Sequence, residues 1–428
     1  MWLTLFGSLF VLLFSGAWIG VAIGITGLII MHFYGPGIGI LGGIVWEAIN
    51  IYSLLALPGF IFMGQIIMES GLSSRIYEAV SPLTARLPGK LLHSNVILTG
   101  MFAAVLGVSS ANAAVVGTVA IPELRRRKYA ERLLLGTICA GGTLGLLIPP
   151  SAALILYGSM ADTSIAALFA GATIPGILIL LLFMIYIIIR GKITPTIAPA
   201  EEKGLPFKAT LLSLCRIWPL LILMFACIGP IYLGWATAAE SSGIGALAAI
   251  IIGGVFGKIN WQAIKASLMN TTQTTTMIFF LFLGAKILAV SISLLGIPRD
   301  IVLMVGELPL GPISILMLIY LMYIIMGCFL DGISMQLMTI PFIVPIILSL
   351  GFESVWFGVV MVLVIEIGLV TPPVGLNLFV VQGIGGRDTS ILDIFMGSLP
   401  FLVIVLLVMV ALTFLPGLVT LFPRFLGL

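Results

Sequence analysis

Two short stretches carry the side chains of this chain best suited to holding a ligand. One is the small polar cluster Gly107-Val-Ser-Ser-Ala-Asn-Ala-Ala114; the other is Gly327-Cys-Phe-Leu-Asp-Gly332, with Ser334 beyond it. Each precedes an apolar run broken by a double proline, Gly145-Leu-Leu-Ile-Pro-Pro-Ser151 and Gly368-Leu-Val-Thr-Pro-Pro-Val-Gly375. Proline removes a backbone donor and clashes with the preceding turn, so a helix must break there. Carbonyls freed between Gly142 and Pro149, and between Gly368 and Pro373, then need partners in protein, water or an ion. A hard cation such as sodium wants oxygen ligands, and an unwound helix end offers it a partial negative charge. A polar tip abutting a broken helix is therefore a sodium cage that needs no carboxylate. The expected first cage is Ser109, Ser110, Asn112, Gly142, Gly145 and Pro149. The second is Gly327, Asp331, Gly332, Gly368, Thr371, Pro372 and Asn377. A carboxylate in an uncharged run is expensive at membrane depth, which makes Asp331 a functional candidate. It is also a good N-cap, and the two roles are compatible. Glu366, about one and a half turns before Thr371, either tunes the second cage or pairs with Lys286.

These tips and breaks need spanning elements to position them, and the composition supplies them. The chain has 428 residues, 61% hydrophobic and 8% charged, with a mean hydropathy of +1.29. A soluble domain carries roughly 25% charged residues. The chain reads as an all-α polytopic membrane protein of about ten spans, each needing about 20 apolar residues. The N-terminus lacks a basic region and a small-residue cleavage site, so no removable signal peptide is expected. Cys139, Cys215, Cys227 and Cys328 lie in or beside apolar segments and read as packing residues rather than disulfide partners. Spans are expected at about 3–17, 19–34, 50–70, 166–189, 217–234, 241–257, 271–296 and 397–422. Residues 1–35 alternatively form one long tilted helix. Thr271–Thr276 reads as a polar helix start, and Lys286 and Arg299 as snorkelling cations or as attractors of an anionic substrate.

Basic loops stay cytoplasmic. That places 75–90, 125–132 and 190–216 on one side, which requires 91–122 to enter and return as a re-entrant hairpin. The halves then match. Met63-Gly64-Gln65-Ile66 aligns with Leu283-Gly284-Ala285-Lys286; Asn112 and Asp331 each sit ten residues before a proline, Pro122 and Pro341; the double prolines lie 223 apart. Residues 1–200 form a first repeat, with its hairpin at about 91–122 and broken helix at about 133–161. Residues 201–428 form a second, with hairpin 311–350 and broken helix 355–384. The repeats run in opposite orientation, the architecture of many alternating-access carriers.

Glu366-Ile-Gly-Leu-Val-Thr-Pro-Pro-Val-Gly-Leu-Asn377, the first double-proline motif, Gly234-Trp-Ala-Thr-Ala-Ala-Glu240-Ser-Ser-Gly-Ile-Gly-Ala246 and Pro122-Glu-Leu-Arg-Arg-Arg-Lys-Tyr129 together resemble the large permease subunit of TRAP transporters, the tripartite ATP-independent periplasmic carriers. The resemblance covers essentially the whole chain. It implies an elevator-type fold, in which a domain of both hairpins and both broken helices slides against a scaffold. It also implies a bacterial inner membrane location, Na+ as coupling ion and no other cofactor, and uptake of an organic acid such as a dicarboxylate or sialic acid. A small four-helix membrane subunit and a periplasmic substrate-binding protein are the implied partners; with its first spans used by the repeat, the chain is not expected to carry a fused small subunit.

The rival readings are weaker. Two histidines, His32 and His93, give no zinc pair, and there is no Gly-x-Ser-x-Gly elbow, so no enzyme is indicated. Gly37-Ile-Gly-Ile-Leu-Gly42 matches a dinucleotide fingerprint by letter only, since no soluble strand precedes it. A channel would show unitary currents rather than counterflow. A sodium-coupled carboxylate carrier acting without a binding protein is the nearest alternative.

The charge count predicts an orientation that labelling can check. Loops 123–132 and 190–216 hold five basic residues each, whereas 297–312 holds Arg299 against Asp300 and Glu307. In a background lacking the native cysteines, Glu307→Cys should react with an impermeant maleimide in intact cells and Arg127→Cys should not. The opposite pattern would overturn both the orientation and the inverted repeat.

Overall fold

The computed structural model describes residues 1–199, 213, 217–387 and 389–428, and every regular element among them is helical. The expectations that fall on Cys215, on Glu201 and Glu202, and on Lys203, Lys208 and Arg216 lie outside these residues. The described first half runs α1 (Trp2–Phe14), α2 (Ile19–Tyr34), α3 (Leu41–Ile49), α4 (Ala56–Glu69), α5 (Leu72–Thr84), α6 (Leu91–Leu106), α7 (Ser109–Arg126), α8 (Glu131–Leu147), α9 (Ala152–Met160) and α10 (Ile165–Ile193). The second runs α11 (Trp218–Tyr232), α12 (Ala238–Phe256), α13 (Trp261–Leu294), α14 (Ile297–Gly306), α15 (Pro312–Gly327), α16 (Gly332–Ser349), α17 (Ser354–Val370), α18 (Leu376–Gly385), α19 (Ile391–Phe414) and α20 (Gly417–Leu426). Seven helical stretches among the described residues are long and apolar enough to cross a membrane.

The order and lengths of the central helices recur. α6 to α9 have 16, 18, 17 and 9 residues; α15 to α18 have 16, 18, 17 and 10. Both double prolines contain a cis peptide bond. Local chemistry starts these helices where they start. Ser151, Ser164, Asn260 and Asp331 each accept a hydrogen bond from the backbone three residues on, satisfying a donor the first turn leaves free. Thr237 and Glu240 close a capping box at α12.

Several boundaries differ from the sequence expectation. Residues 1–35 form two helices, as the first reading has it, and not the single long helix of the alternative. The span expected at 271–296 begins at Trp261, because Asn260 caps it there. Thr271–Thr276 is therefore mid-helix rather than a helix start. The last expected span, 397–422, is two helices, α19 and α20, divided at Leu415–Pro416. Short α5 and α14, both entered through a left-handed glycine (Gly71 and Gly296), were not anticipated. Their mixed composition hides an amphipathic helix from a search for long apolar runs.

Packing divides the helices into an outer and an inner set. In the outer set α2 lies on α13 and α12 on α4, each backbone to backbone. A Cβ on Gly284 would stand 2.3 Å from the Gly20 carbonyl oxygen, and one on Gly59 would stand 2.3 Å from Ser242 Oγ. Small residues are what permit such approach between apolar helices. The inner set is α6–α9 with α15–α18, where α17 is almost wholly buried. α19 crosses α8 so closely that a Cβ on Gly136 would fall 2.1 Å from the Gly397 carbonyl oxygen. Cys139, Cys227 and Cys328 are free and buried.

Gly136→Ala should therefore destabilise the purified protein by about 1–3 kcal/mol, as overpacking against backbone does. Gly243→Ala, with nothing within 4 Å of the new methyl, should leave the melting temperature unchanged or slightly raised. Equal melting of the two variants would refute the tight α8–α19 crossing.

Candidate functional site: two tips against two broken helices

Both tips close onto their breaks through backbone. The α6–α7 turn passes through Gly107 in the left-handed region, and the Gly107 carbonyl accepts from Ala152 N at 3.2 Å, just past Pro149–Pro150. In the second half the Cys328 carbonyl accepts from Val374 N at 3.2 Å and Gly375 N at 3.3 Å, just past Pro372–Pro373. The helices run closer to the prolines than the sequence suggests, since α8 continues to Leu147 and α17 to Val370. Gly142, Gly145, Gly327 and Gly368 thus sit on regular helix, where they allow contact. A Cβ on Gly145 would stand 2.8 Å from the Val108 carbonyl oxygen, and one on Gly368 would stand 2.7 Å from Gly327 Cα.

The first cage is fully enclosed. Asn112, completely buried, donates through Nδ2 to the Thr99 carbonyl at 2.9 Å and lies 3.3 Å from the Gly142 carbonyl. Its Oδ1 is buried with no partner. Asn377, expected in the second cage, instead reaches the first: its Nδ2 donates to Ser109 Oγ at 2.7 Å, and its Oδ1 is also buried without a partner. Ser109 and Asn112 stand three residues apart on the first turn of α7, and Asn377 of α18 joins them through the Ser109 hydroxyl. Buried polar atoms are almost always satisfied by protein, water or an ion. Unpartnered oxygens are the ligand type a hard cation takes. Ser110 is half-buried beside Ser109, and Pro149 is buried.

The second cage is more open. Asp331 Oδ2 accepts from Ser334 N at 3.0 Å and so caps α16, with Gly332 as its first helical residue. Thr371 spends its hydroxyl on the Ile367 carbonyl at 2.6 Å. Thr371 and Pro372 are half-buried, Pro373 and Val374 exposed, and Phe329 at the tip is 62% exposed.

The two halves interlock. Glu366, 2% exposed, accepts from Leu146 N at 3.2 Å with the Thr143 hydroxyl beside it, and among the described residues it makes no ion pair with Lys286 or another cation. Gln336 of α16 donates to the Ala153 carbonyl of α9 at 2.9 Å. Arg125, at the far end of α7, donates to the Gly385 carbonyl at 2.6 Å and to Thr389 Oγ1 at 2.7 Å, which caps α18. Helix α18 is thus tied to α7 at both ends. The sequence signal for these links was weak: Gln336 and Asn377 are single amides in apolar runs, and only the fold shows which half each one reaches.

Between α2, α13 and the second tip lies a crevice of about 290 Å³, lined mainly by Trp18, Ile19, Met277, Phe280 and Leu281, with Ser334 at its edge. Lys286 is half-buried on α13 and Arg299 is exposed on α14.

Residues 6–418 match the protein family described as the tripartite ATP-independent periplasmic transporter, DctM component. The chain is 31% identical over 411 residues to the C4-dicarboxylate TRAP transporter large permease protein DctM of Pseudomonas aeruginosa, covering 95% of each chain. It is 31% identical over 385 residues to the sialic acid TRAP transporter large permease protein SiaM of Vibrio cholerae, covering 88% of this chain and 86% of that one. Among solved structures it resembles the Alcanivorax borkumensis YdaH transporter with a TM-score of 0.63 at 16% identity, covering 91% of this chain and 88% of that one. That likeness is one of fold.

The cap geometry makes Asp331 separable by substitution. Asp331→Ala should lower thermal stability by about 1 kcal/mol, and Asp331→Asn, which also caps, should recover most of it. Identical melting of wild type and Asp331→Ala would show that the cap contributes nothing.

Proposed function

The chain belongs to the DctM component family of the tripartite ATP-independent periplasmic transporters, and from that premise we propose that it is the membrane permease of a sodium-driven importer of an organic acid. It resides in the bacterial inner membrane and works with a periplasmic substrate-binding protein and a small four-helix membrane subunit. The relatives' names, a C4-dicarboxylate permease and a sialic acid permease, support a carboxylate substrate. The observation that carries the coupling ion is the pair of buried, unpartnered amide oxygens of Asn112 and Asn377 beside Ser109. Ser109, Asn112 and Asn377 would hold one sodium ion, with carbonyls of the α8 end completing its shell. The second tip and break, including Asp331 and Thr371, would hold another.

Transport follows from moving the interlocked inner set as one body. The links through Glu366, Gln336, Asn377 and Arg125 join the two hairpins and two broken helices to one another. The crevice at α2 and α13 is lined mainly by apolar side chains, which lets the inner set slide against the outer helices without breaking many hydrogen bonds. The recurrence of helix order and length supports an inverted repeat, so that each cage opens toward one face of the membrane. A sodium ion in the uncharged first cage adds positive charge, and one in the second offsets Asp331; both favour capture of a carboxylate delivered by the binding protein. This is an elevator form of alternating access.

The test is uptake into liposomes containing the permease, its small subunit and its binding protein, with radiolabelled succinate and sialic acid as first probes. Uptake should need an inward sodium gradient and fall to background in choline. Equal uptake in choline and sodium would remove the sodium reading. Sodium-dependent uptake without the binding protein would favour a related carrier that works alone.

A further inference from the structure

Thr143 and Glu366 lie 223 residues apart, the same offset as the double prolines. They are thus matching positions of the two broken helices, and they meet where α8 and α17 cross. The contact is one-sided. Glu366 Oε1 takes the Leu146 amide at 3.2 Å, three residues before Pro149 and one after Gly145. A threonine at the matching position cannot make the reciprocal reach. The last turn of α8, which follows the Gly142 carbonyl that lies 3.3 Å from Asn112 Nδ2, is therefore held by a side chain from the break of the other half. Glu366 itself is two residues before Gly368, the glycine pressed against the second tip. The Thr143 hydroxyl also lies beside the Glu366 carboxylate, and Gly332 of the second tip lies against Ile365 and Leu146.

We infer that Glu366 is a positioning residue that couples the two cages, so that a cation in one sets the geometry, and hence the affinity, of the other. The coupling acts through hydrogen-bond acceptance from Leu146 N, and an isosteric amide preserves it. This rests on the sodium reading given above. Two sites linked through a shared, discrete contact bind their ligands cooperatively, and removing the contact makes them independent.

Sodium itself is the probe, read as thermal stabilisation of the purified permease in sodium against choline at constant ionic strength. Wild type should show a steep sodium dependence, with a Hill coefficient above 1. Glu366→Gln should keep both midpoint and slope within about twofold, whereas Glu366→Met, similar in volume without the acceptor, should melt normally in choline, shift the sodium midpoint upward about tenfold and lose the steepness. Wild-type midpoint and slope in Glu366→Met would overturn the inference, as would a Glu366→Gln that behaves like Glu366→Met. Hydrogen exchange on wild type provides a second arm that needs no substitution. Segments 142–151 and 368–377 should gain protection at the same sodium concentration. Protection at concentrations about tenfold apart would overturn the coupling while leaving sodium binding intact. No sodium response at all would overturn the sodium reading, and the inference with it.

Discussion

Backbone that a proline has released inside an apolar interior must find a partner, and the inner half of this molecule is arranged around that requirement. Two helices, α8 and α17, are interrupted, the first among buried residues and the second nearer the surface. Each interruption is met by the carbonyl of a tip from its own half: Gly107 receives Ala152 N, and Cys328 receives Val374 N and Gly375 N. What those contacts leave over is oxygen. The end of each broken helix carries carbonyls with no further helical donor, and in the first cage the amides of Asn112 and Asn377 add two more bare acceptors. The same proline chemistry that interrupts the helices thus supplies the oxygens on which the proposed sodium sites rest.

Burial then decides how the two cages differ. The first is enclosed between α7 and α8, with Asn112 and Asn377 fully buried. The second reaches the surface at Pro373 and Val374 and carries the one carboxylate at a tip, Asp331. A charged cap tolerates the wetter site, whereas neutral amides suit the dry one, because an uncompensated charge in a low-dielectric interior is costly. Repetition of helix order therefore does not mean repetition of chemistry.

Much of this was legible in the sequence, because proline and charge leave unambiguous marks. The double prolines located both breaks within two residues, and Asn112 and Asp331 marked both tips. Counting basic loops led to the first helix pair and the internal match to the second, and the structure has helix pairs at both places, α6–α7 and α15–α16. What was hidden depended on pairings across the chain. Asn377 follows the second break in sequence, yet its amide bonds to Ser109, 268 residues away. Gln336 gave no signal, since one amide in an apolar run reads as packing until its partner, the Ala153 carbonyl, is known. The span expected at 271–296 starts ten residues earlier, because Asn260 is a cap that opens a 34-residue helix at Trp261. Amphipathic α5 and α14 fell below a search tuned to long apolar runs for the same reason: their pattern, not their mean hydropathy, identifies them.

Helix α18 is tied to α7 at its start, through Asn377 and Ser109, and at its end, through Arg125 and Gly385. Each hairpin thus carries the short helix that follows the other half's break, as Gln336 and Ala153 show for the reverse direction. The consequence is genealogical. Were this chain cut between its halves, neither piece would contain a finished pocket, and both would expose polar ends made to fit the other. An ancestor of half this length is therefore imaginable only as a pair of copies with exchanged arms. A substitution at any of these cross-links therefore acts on contacts of both halves at once.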